Sequence, residues 1–518
     1  MTDICRFKIG QMLMAGFPSA EVDGQARRLV EDFMTGNFVL FARNFGSAEQ
    51  TIKLCSGLHK LVYDKTGLSP LIAADQEGGV VCRLTEGAAL IPGQMAVAAA
   101  CTDATAVGEN CAAALSSVGV NTDLAPVLDV NRDPMNPIIG ARAFSDSAGT
   151  VGRLGLEMLD GLRAGDVLAA VKHFPGHGNV QTDSHLGIPR SGVSLGDFTE
   201  IDLAPFRSAF AHGADALMTC HVAFDCLDPG RPATLSRRIM TDLLRGELGF
   251  KGIAITDCLE MGAVSSACGV GEGAVLAVEA GCDILCFSHT YEAVSLAAQA
   301  LYAAVDSGRI TPERIDESYE RILRIKTKYH LLEPPSLSAE SARSVIYDPA
   351  RIERNRKISR RSVTLISDGG GLELLRQARR PAFFAPASLA LTGNEDREKR
   401  PAYFSRLAQE RFGGSSAVLP IDGLDEASRA AICAPDYDAA VLGLYNARFR
   451  PGQQQALRLL EEQNRPLVVV LLGAPYDAAL IRRADAVIAA YEYTPLSVDS
   501  VLDALESSSF SGRLPVAL

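Results

Sequence analysis

Short apolar runs alternate with longer amphipathic stretches from Met12 to Phe287. Eight runs recur: Met12–Phe17, Phe38–Ala42, Leu71–Ala74, Thr122–Pro126, Leu168–Lys172, Ala216–Cys220, Gly252–Thr256 and Asp283–Phe287. Each ends in polar residues and leads into a stretch with helical spacing, the signature of a strand followed by a helix. Eight such units predict an α/β fold, a (β/α)8 TIM-like barrel, in which function gathers at the C-terminal ends of the strands. Asp75, Lys172, His173, His221 and Asp257 all stand at such ends.

After the eighth run the pattern becomes that of a long helix. Thr311 offers an N-cap with Pro312 at the first helical position, and Ile315, Tyr319, Ile322 and Leu323 supply an apolar face. This helix should close the first domain near His330. Glu333-Pro334-Pro335-Ser336 then breaks the chain, because paired prolines cannot continue a helix. A barrel domain over residues 1–335 and a second domain over 336–518 are therefore expected. In the second, runs at Ser362–Ser367, Ala382–Ala385, Ala417–Pro420, Ala440–Tyr445, Leu467–Leu472 and Ala486–Ala490 read as an open, mostly parallel α/β sandwich. Arg448 and Arg450, in a loop of that domain, could reach an anion; solvent is the expected surrounding.

Composition narrows the classes of function. Of 518 residues, 47% are hydrophobic and 22% charged, which excludes disorder as a description of the whole. The 50 Lys and Arg against 62 Asp and Glu leave a net charge of −12. That balance disfavours nucleic acid and anionic membranes as partners, since both need positive potential. No apolar run reaches the ~20 residues that span a bilayer, and Asp3, Arg6 and Lys8 interrupt the first stretch, unlike a secretory signal. A cytoplasmic location is expected, where the 12 cysteines behave as small buried hydrophobes. All 8 histidines lie at or before His330, so histidine chemistry belongs to the first domain.

The densest group of titratable residues is Val171-Lys172-His173-Phe174-Pro175-Gly176-His177-Gly178, followed by Asp183-Ser184-His185. Its glycines permit an open loop after a barrel strand. Two chemistries are open to it. His177, His185 and Asp183 could reach one metal ion, although their spacing matches no zinc framework and H-E-x-x-H is absent. Alternatively, Asp183 fixes the tautomer of His185, whose other ring nitrogen moves a proton. The absence of G-x-S-x-G weakens a serine-hydrolase reading. Asp257 remains as a strand-end carboxylate, either a nucleophile or a helix cap.

Five stretches closely resemble glycoside hydrolase family 3: Lys8-Ile9-Gly10-Gln11, Asp75-Gln76-Glu77-Gly78-Gly79, Asn136-Pro137-Ile138-Ile139-Gly140-Ala141-Arg142, Lys172 to Gly178 with Asp183-Ser184-His185, and Thr256-Asp257-Cys258-Leu259-Glu260-Met261. They look most like its two-domain bacterial β-N-acetylglucosaminidase subgroup with an Asp–His acid/base dyad, which includes some β-glycoside phosphorylases. The second domain is matched more weakly, through Ile358 to Leu365. The resemblance implies Asp257 as the nucleophile that forms a glycosyl-enzyme, His185 as acid/base and Asp183 as its partner. It also implies that Asp75, Arg83, Arg142, Lys172 and His173 hold the hydroxyls of the sugar in the −1 subsite. Two departures stand out: Val80 occupies a position where many relatives have Arg, and Cys258 one where many have a second Asp.

These roles agree with the chemistry. Retaining cleavage needs a carboxylate to attack the anomeric carbon and an acid to protonate the departing oxygen, usually ~5–5.5 Å apart. Lys172 and Arg142 are expected to keep Asp257 ionised. Assistance from the substrate's own acetamido group is disfavoured, because Cys258 rather than a carboxylate adjoins Asp257. The expected activity is exo-cleavage of terminal β-N-acetylglucosaminides, with β-glucosides as a further substrate, through a glycosyl-aspartate released by water. Phosphate is the alternative acceptor, because His185 acting as a base is neutral and does not repel an anion. A sugar-binding protein without turnover is the remaining class; the joint presence of Asp257, His185 and Asp183 argues against it. No metal or cofactor is expected apart from phosphate as that alternative co-substrate. The partner is a small carbohydrate, and no oligomeric state is read from the pattern.

Overall fold

The computed structural model describes residues 2–180, 188–387, 404–420 and 423–518. Its first sheet contains β1 (Leu13–Ala15), β2 (Asn37–Leu40), β3 (Leu71–Ala74), β4 (Thr122–Asp123), β5 (Leu168–Phe174), β6 (Ala216–Thr219), β7 (Ile253–Ile255) and β8 (Leu285–Phe287). They lie parallel and in chain order, with β8 beside β1. A bridge between Ile255 and Ile284 brings β7 to β8, and Cys286 N donates to Thr256 Oγ1 at 2.9 Å across the same seam. This is the (β/α)8 architecture expected from the eight runs. Every residue of these strands is buried, because helices cover the outside and side chains fill the inside. The helix Ala48–Thr66 shows how: it buries Thr51, Ile52, Leu54, Cys55, Leu58, His59 and Val62 along one face. Ser47 caps its start by accepting from Gln50 N, and Gly67 at φ +72° ends it.

Several strands are shorter than the runs that predict them. β4 spans two residues of Thr122–Pro126, yet Leu124, Ala125 and Val127 are buried beyond it. The apolar pattern continues into the barrel mouth, so it does not mark where backbone pairing stops. β5 does the opposite and carries Lys172 and His173 within the strand.

The helix Pro312–Lys328 starts as expected, with Thr311 Oγ1 accepting from Arg314 N. Its buried face is Ile315, Ser318, Ile322, Ile325 and Lys326; Tyr319 and Leu323, expected on that face, are half-buried at its edge. Ser318 Oγ donates to Asp283 Oδ1 at 2.8 Å, and Lys326 Nζ donates to Gln11 Oε1 at 2.8 Å and Gly36 O at 3.1 Å. Polar groups take core positions here because partners await them, which hydropathy alone does not reveal.

Beyond Pro334-Pro335, the helices Ala339–Ile346 and Pro349–Ser362 send Ala342, Ile346 and Ile358 into the barrel's core. The second sheet then contains β9 (Thr364–Asp368), β10 (Pro381–Pro386), β11 (Ser415–Leu419), β12 (Ala439–Leu444), β13 (Leu467–Leu471) and β14 (Ala486–Ala489). Its order is β9-β14-β13-β12-β10-β11, parallel except for β9 against β14. It is the α/β sheet domain expected, with an apolar core on each face. This domain touches loops that follow β3 and β4. Glu492 Oε2 accepts from Gly93 N at 2.6 Å, and Asn131 Nδ2 donates to Tyr476 OH at 2.9 Å. Gly79, at φ +59°, permits the approach, since a Cβ there would lie 2.5 Å from Glu492 Oε2. No single helix among the described residues is long and apolar enough to cross a membrane.

Candidate active site

β3 ends at Ala74 and delivers Asp75 to the barrel mouth, its side chain 15% exposed. Lys172 reaches across from β5, with Nζ 2.6 Å from Asp75 Oδ1, and Arg83 Nη2 donates to Oδ2 at 3.0 Å. The same Nζ stands 2.6 Å from Glu77 Oε1. Glu77 is in turn forked by Arg142, Nε to Oε2 at 2.8 Å and Nη2 to Oε1 at 2.7 Å. Lys172, Glu77 and Arg142 are almost completely buried. Burial alone would raise both carboxyls, but the surrounding cations outweigh it: Glu77 is drawn down to about 2, and Asp75 lies well below the usual carboxylate range. Three cations and two carboxylates interlock in this cluster.

His173 follows Lys172 on β5. Its Nδ1 lies 2.7 Å from Asp129 Oδ2, and its backbone N–H donates to the same carboxylate at 3.2 Å. His177 N donates to Asp129 Oδ1 at 2.7 Å. Burial would raise Asp129, but His173 and His177 hold it low, so the ionised carboxylate accepts a hydrogen bond from Nδ1–H and turns Nε2 toward Arg142 Nη2, 3.5 Å away. Burial pushes His177 down to about 4, which leaves it neutral at pH 7. Gly178 lets this loop press against the loop after β4: a Cβ there would sit 1.8 Å from Val130 O.

Asp257 stands two residues beyond β7, half-buried, with Cys258 N donating to Oδ1 at 2.7 Å. Burial would raise its carboxyl. The imidazoles of His221 and His173, the Cys258 N–H and Lys172 together hold it below its usual value. Of the two cations expected to keep Asp257 ionised, Lys172 contributes, whereas Arg142 is committed to Glu77 and His221 is the foremost favourable neighbour. The His221 ring spans Thr234 Oγ1 at 2.9 Å and Cys258 O at 3.0 Å, so it ties the end of β6 to the Asp257 loop. Burial pushes the Cys258 thiol up to about 12, so no second negative charge adjoins Asp257.

Asp75, Arg83, Arg142, Lys172 and His173 thus form one connected network, and Asp257 lies beside it. Asp183 and His185 fall outside the described residues. Sequence reasoning gave no role to Glu77 or Asp129, the two buried carboxylates that organise the cations and imidazoles. Glu77 had a signal, since the period-two alternation of an extended chain puts it on the same side as Asp75; Asp129 had none. Arg448 does not face solvent as expected. Its side chain is 6% exposed and Nη1 donates to Asp477 Oδ1 at 3.0 Å, because the barrel's Gly140 loop covers it. Among the described residues, no three His, Cys, Asp or Glu side chains converge on a common metal position.

A family model described as the glycosyl hydrolase family 3 N-terminal domain matches residues 4–325. The structure of a glycoside hydrolase family 3 β-N-acetylglucosaminidase from Paenibacillus sp. str. FPU-7 superposes with a TM-score of 0.94 at 34% identity, covering 100% of this chain and 99% of that one. The β-hexosaminidase A of Pseudoalteromonas piscicida is 29% identical over 90% of this chain and 84% of its own length. The β-glucoside phosphorylase BglX bound to 2FGlc shares the fold, with a TM-score of 0.83 at 22% identity over 100% of this chain and 94% of that one. Barrel, site and relatives define a glycosidase. The chain belongs to glycosyl hydrolase family 3.

Proposed function

We propose that this glycosidase is a retaining, exo-acting β-N-acetylglucosaminidase. Asp257 attacks the anomeric carbon of a terminal β-linked N-acetylglucosamine, the bond to the leaving oxygen breaks, and a glycosyl-aspartate forms. His185, oriented by Asp183, gives its proton to the departing oxygen and takes one back from the water that releases the sugar. The observation that carries this assignment is the Asp257 carboxylate, held ionised at the end of β7 beside the His173–Lys172 network. Asp75, Arg83, Lys172, Arg142 and His173 take the hydroxyls of the −1 sugar. Their charges are already paired and fixed, so little reorganisation is needed when substrate arrives. The names of the relatives, β-hexosaminidase and β-N-acetylglucosaminidase, support the choice of sugar. A reducing cytoplasm suits the free state of all the cysteines.

The test is turnover of p-nitrophenyl N-acetyl-β-glucosaminide and of the β-glucoside, each with and without inorganic phosphate, with the released sugar identified. Free N-acetylglucosamine of β configuration is expected, with phosphate changing neither rate nor product. A β-configured sugar 1-phosphate would make phosphate the acceptor in place of water. Cleavage of the glucoside alone would overturn the choice of sugar, and turnover of neither would leave a sugar-binding protein.

A further inference from the structure

Asp123 ends β4, fully buried and with no ion pair among the described residues. Its backbone stands in register with Ala74 of β3 and Ala169 of β5. The next residue, Leu124, donates its N–H to Ala74 O at 2.9 Å, as a parallel ladder requires. One peptide further along, a side chain takes over from the ladder: Asp123 Oδ1 accepts from Gln76 N at 3.0 Å. Cys111, from the helix Thr105–Ser117, closes the arrangement, its Sγ 3.1 Å from Asp123 Oδ2 and 3.6 Å from Gln76 O. Both peptide groups that flank Asp75 are thus held from β4. Gln76 passes the constraint on. Its Oε1 accepts from Arg83 N at 2.9 Å and Leu84 N at 3.0 Å, and its Nε2 donates to Leu84 O at 2.7 Å and Ala89 O at 2.8 Å. Asp75 and Arg83, whose side chains meet at 3.0 Å, therefore depend on one residue whose own N–H is held by Asp123.

A neutral acceptor would satisfy Gln76 N without the cost of burying a charge, so the presence of a carboxyl here calls for a reason. Its surroundings set its charge. Burial raises the Asp123 carboxyl to about 7, and Asp75, just beyond β3, pushes the same way. The Gln76 N–H, the Cys111 thiol and Lys172 on β5 favour the ionised form. Burial keeps the Cys111 thiol protonated, with Cys82 beside it. Glu77, Arg83 and Arg142 stand one step further out, paired with Lys172, Asp75 and Glu77 respectively. The proton on Asp123 matters to the clamp, because a hydrogen bond accepted by a carboxylate is about twice as strong as one accepted by a neutral group. The stretch from Asp75 to Arg83 is held hardest when Asp123 is ionised.

We propose that Asp123 is a positioning residue for the −1 subsite, acting through Gln76 on Asp75 and Arg83, so that protonation of this buried carboxyl loosens the grip on the sugar. This role rests on the glycosidase function proposed above, in which Asp75 and Arg83 take hydroxyls of that sugar. The test follows kcat/KM for p-nitrophenyl N-acetyl-β-glucosaminide against pH in the wild-type enzyme, Asp123→Asn, Cys111→Ser and Cys111→Ala. The aryl group leaves without a delivered proton, and kcat/KM reports ionisations of the free enzyme. Asparagine keeps an acceptor for Gln76 N but is neutral at every pH. At about pH 8.5 Asp123→Asn should lie about fivefold below wild type, mainly through a raised KM. At about pH 5.5 the two should converge, because the wild-type carboxyl is then itself protonated. Division of each profile by that of Asp123→Asn removes the titrations they share and leaves a midpoint near pH 7 in the wild type. That midpoint should move down in Cys111→Ser, whose hydroxyl donates more strongly to the carboxylate, and up in Cys111→Ala, which removes the donor. Should Asp123→Asn fail to fold, the opposite shifts of the two Cys111 variants, measured directly against wild type, decide. A ratio of wild type to Asp123→Asn that is constant over pH, a loss confined to kcat, or a midpoint unmoved in both Cys111 variants would each overturn the assignment. Turnover by the wild-type enzyme leaves the glycosidase function standing whatever these profiles show; if no β-glycoside is turned over, that function falls and the positioning role with it.

Discussion

Lys172 is 1% exposed, and an ammonium keeps its charge there only because Asp75 and Glu77 each lie 2.6 Å away. Glu77→Gln leaves Lys172, Arg83 and Arg142 with Asp75 as the one carboxylate of their cluster, already bonded by Lys172 and Arg83, which places uncompensated charge in the interior. Such losses cost roughly 3–5 kcal/mol, and urea unfolding should register a change of that order together with a fall in kcat/KM. Asp257→Ala has the opposite profile. It removes a half-buried carboxylate at the rim, so turnover should disappear while the unfolding midpoint stays close to wild type, and a 2-fluoro sugar should label Asp257 and no other residue. His185→Ala should slow glycosides with poor leaving groups far more than activated aryl glycosides, since only the former need a delivered proton; equal losses on both would give His185 a structural role. Of these residues, Asp75, Lys172, His173 and Asp257 are legible in the sequence because strand ends supply the mouth of a barrel. Glu77 and Asp129 become legible only when their cation and imidazole partners are seen.

Elements follow the apolar pattern closely, and the exceptions are polar. The helix Pro312–Lys328 buries Lys326 with two neutral oxygens for partners. Burial lowers its ammonium from 10.5 to about 7. Below pH 7 folded and unfolded chains both hold the proton, and the cost of the buried charge is fully present. From pH 7 to about 10 the unfolded chain keeps the proton that the folded chain has released, so the unfolded state binds more protons and stability rises with pH. Each tenfold difference in proton affinity between the two states is worth about 1.4 kcal/mol, so the gain across that window is a few kcal/mol. Urea midpoints at pH 7, 8 and 9 should climb in the wild-type protein relative to Lys326→Met. The difference in slope is the readout, because methionine also deprives Gln11 Oε1 and Gly36 O of their donor. Parallel profiles would refute the assignment. No periodicity announces a lysine on the inner face of a helix; its two acceptors come from distant parts of the chain.

At the scale of the whole molecule, the second domain bears on the first through few but well-placed contacts. Glu492 accepts from Gly93 N and lies against Gly79, the second glycine after the Asp75-Gln76-Glu77 stretch. Glu492→Ala leaves a buried N–H without its acceptor, at a cost of about 1–3 kcal/mol, and should raise KM more than it lowers kcat, because the loop that presents Asp75 loses its outer support. A lower unfolding midpoint with unchanged kinetics would confine Glu492 to stability. The sequence by itself determined the eight-unit barrel, the six-stranded second sheet and the strand-end positions of Asp75, Lys172, His173 and Asp257, since burial writes itself into local spacing. Only the tertiary structure decided what those side chains face. Arg448 is apart in sequence from both the Gly140 loop that covers it and the Asp477 that binds it, and His221 acts on Asp257 from a neighbouring strand. Electrostatic partners are chosen by distance in space, and no local pattern of polar and apolar residues encodes that distance.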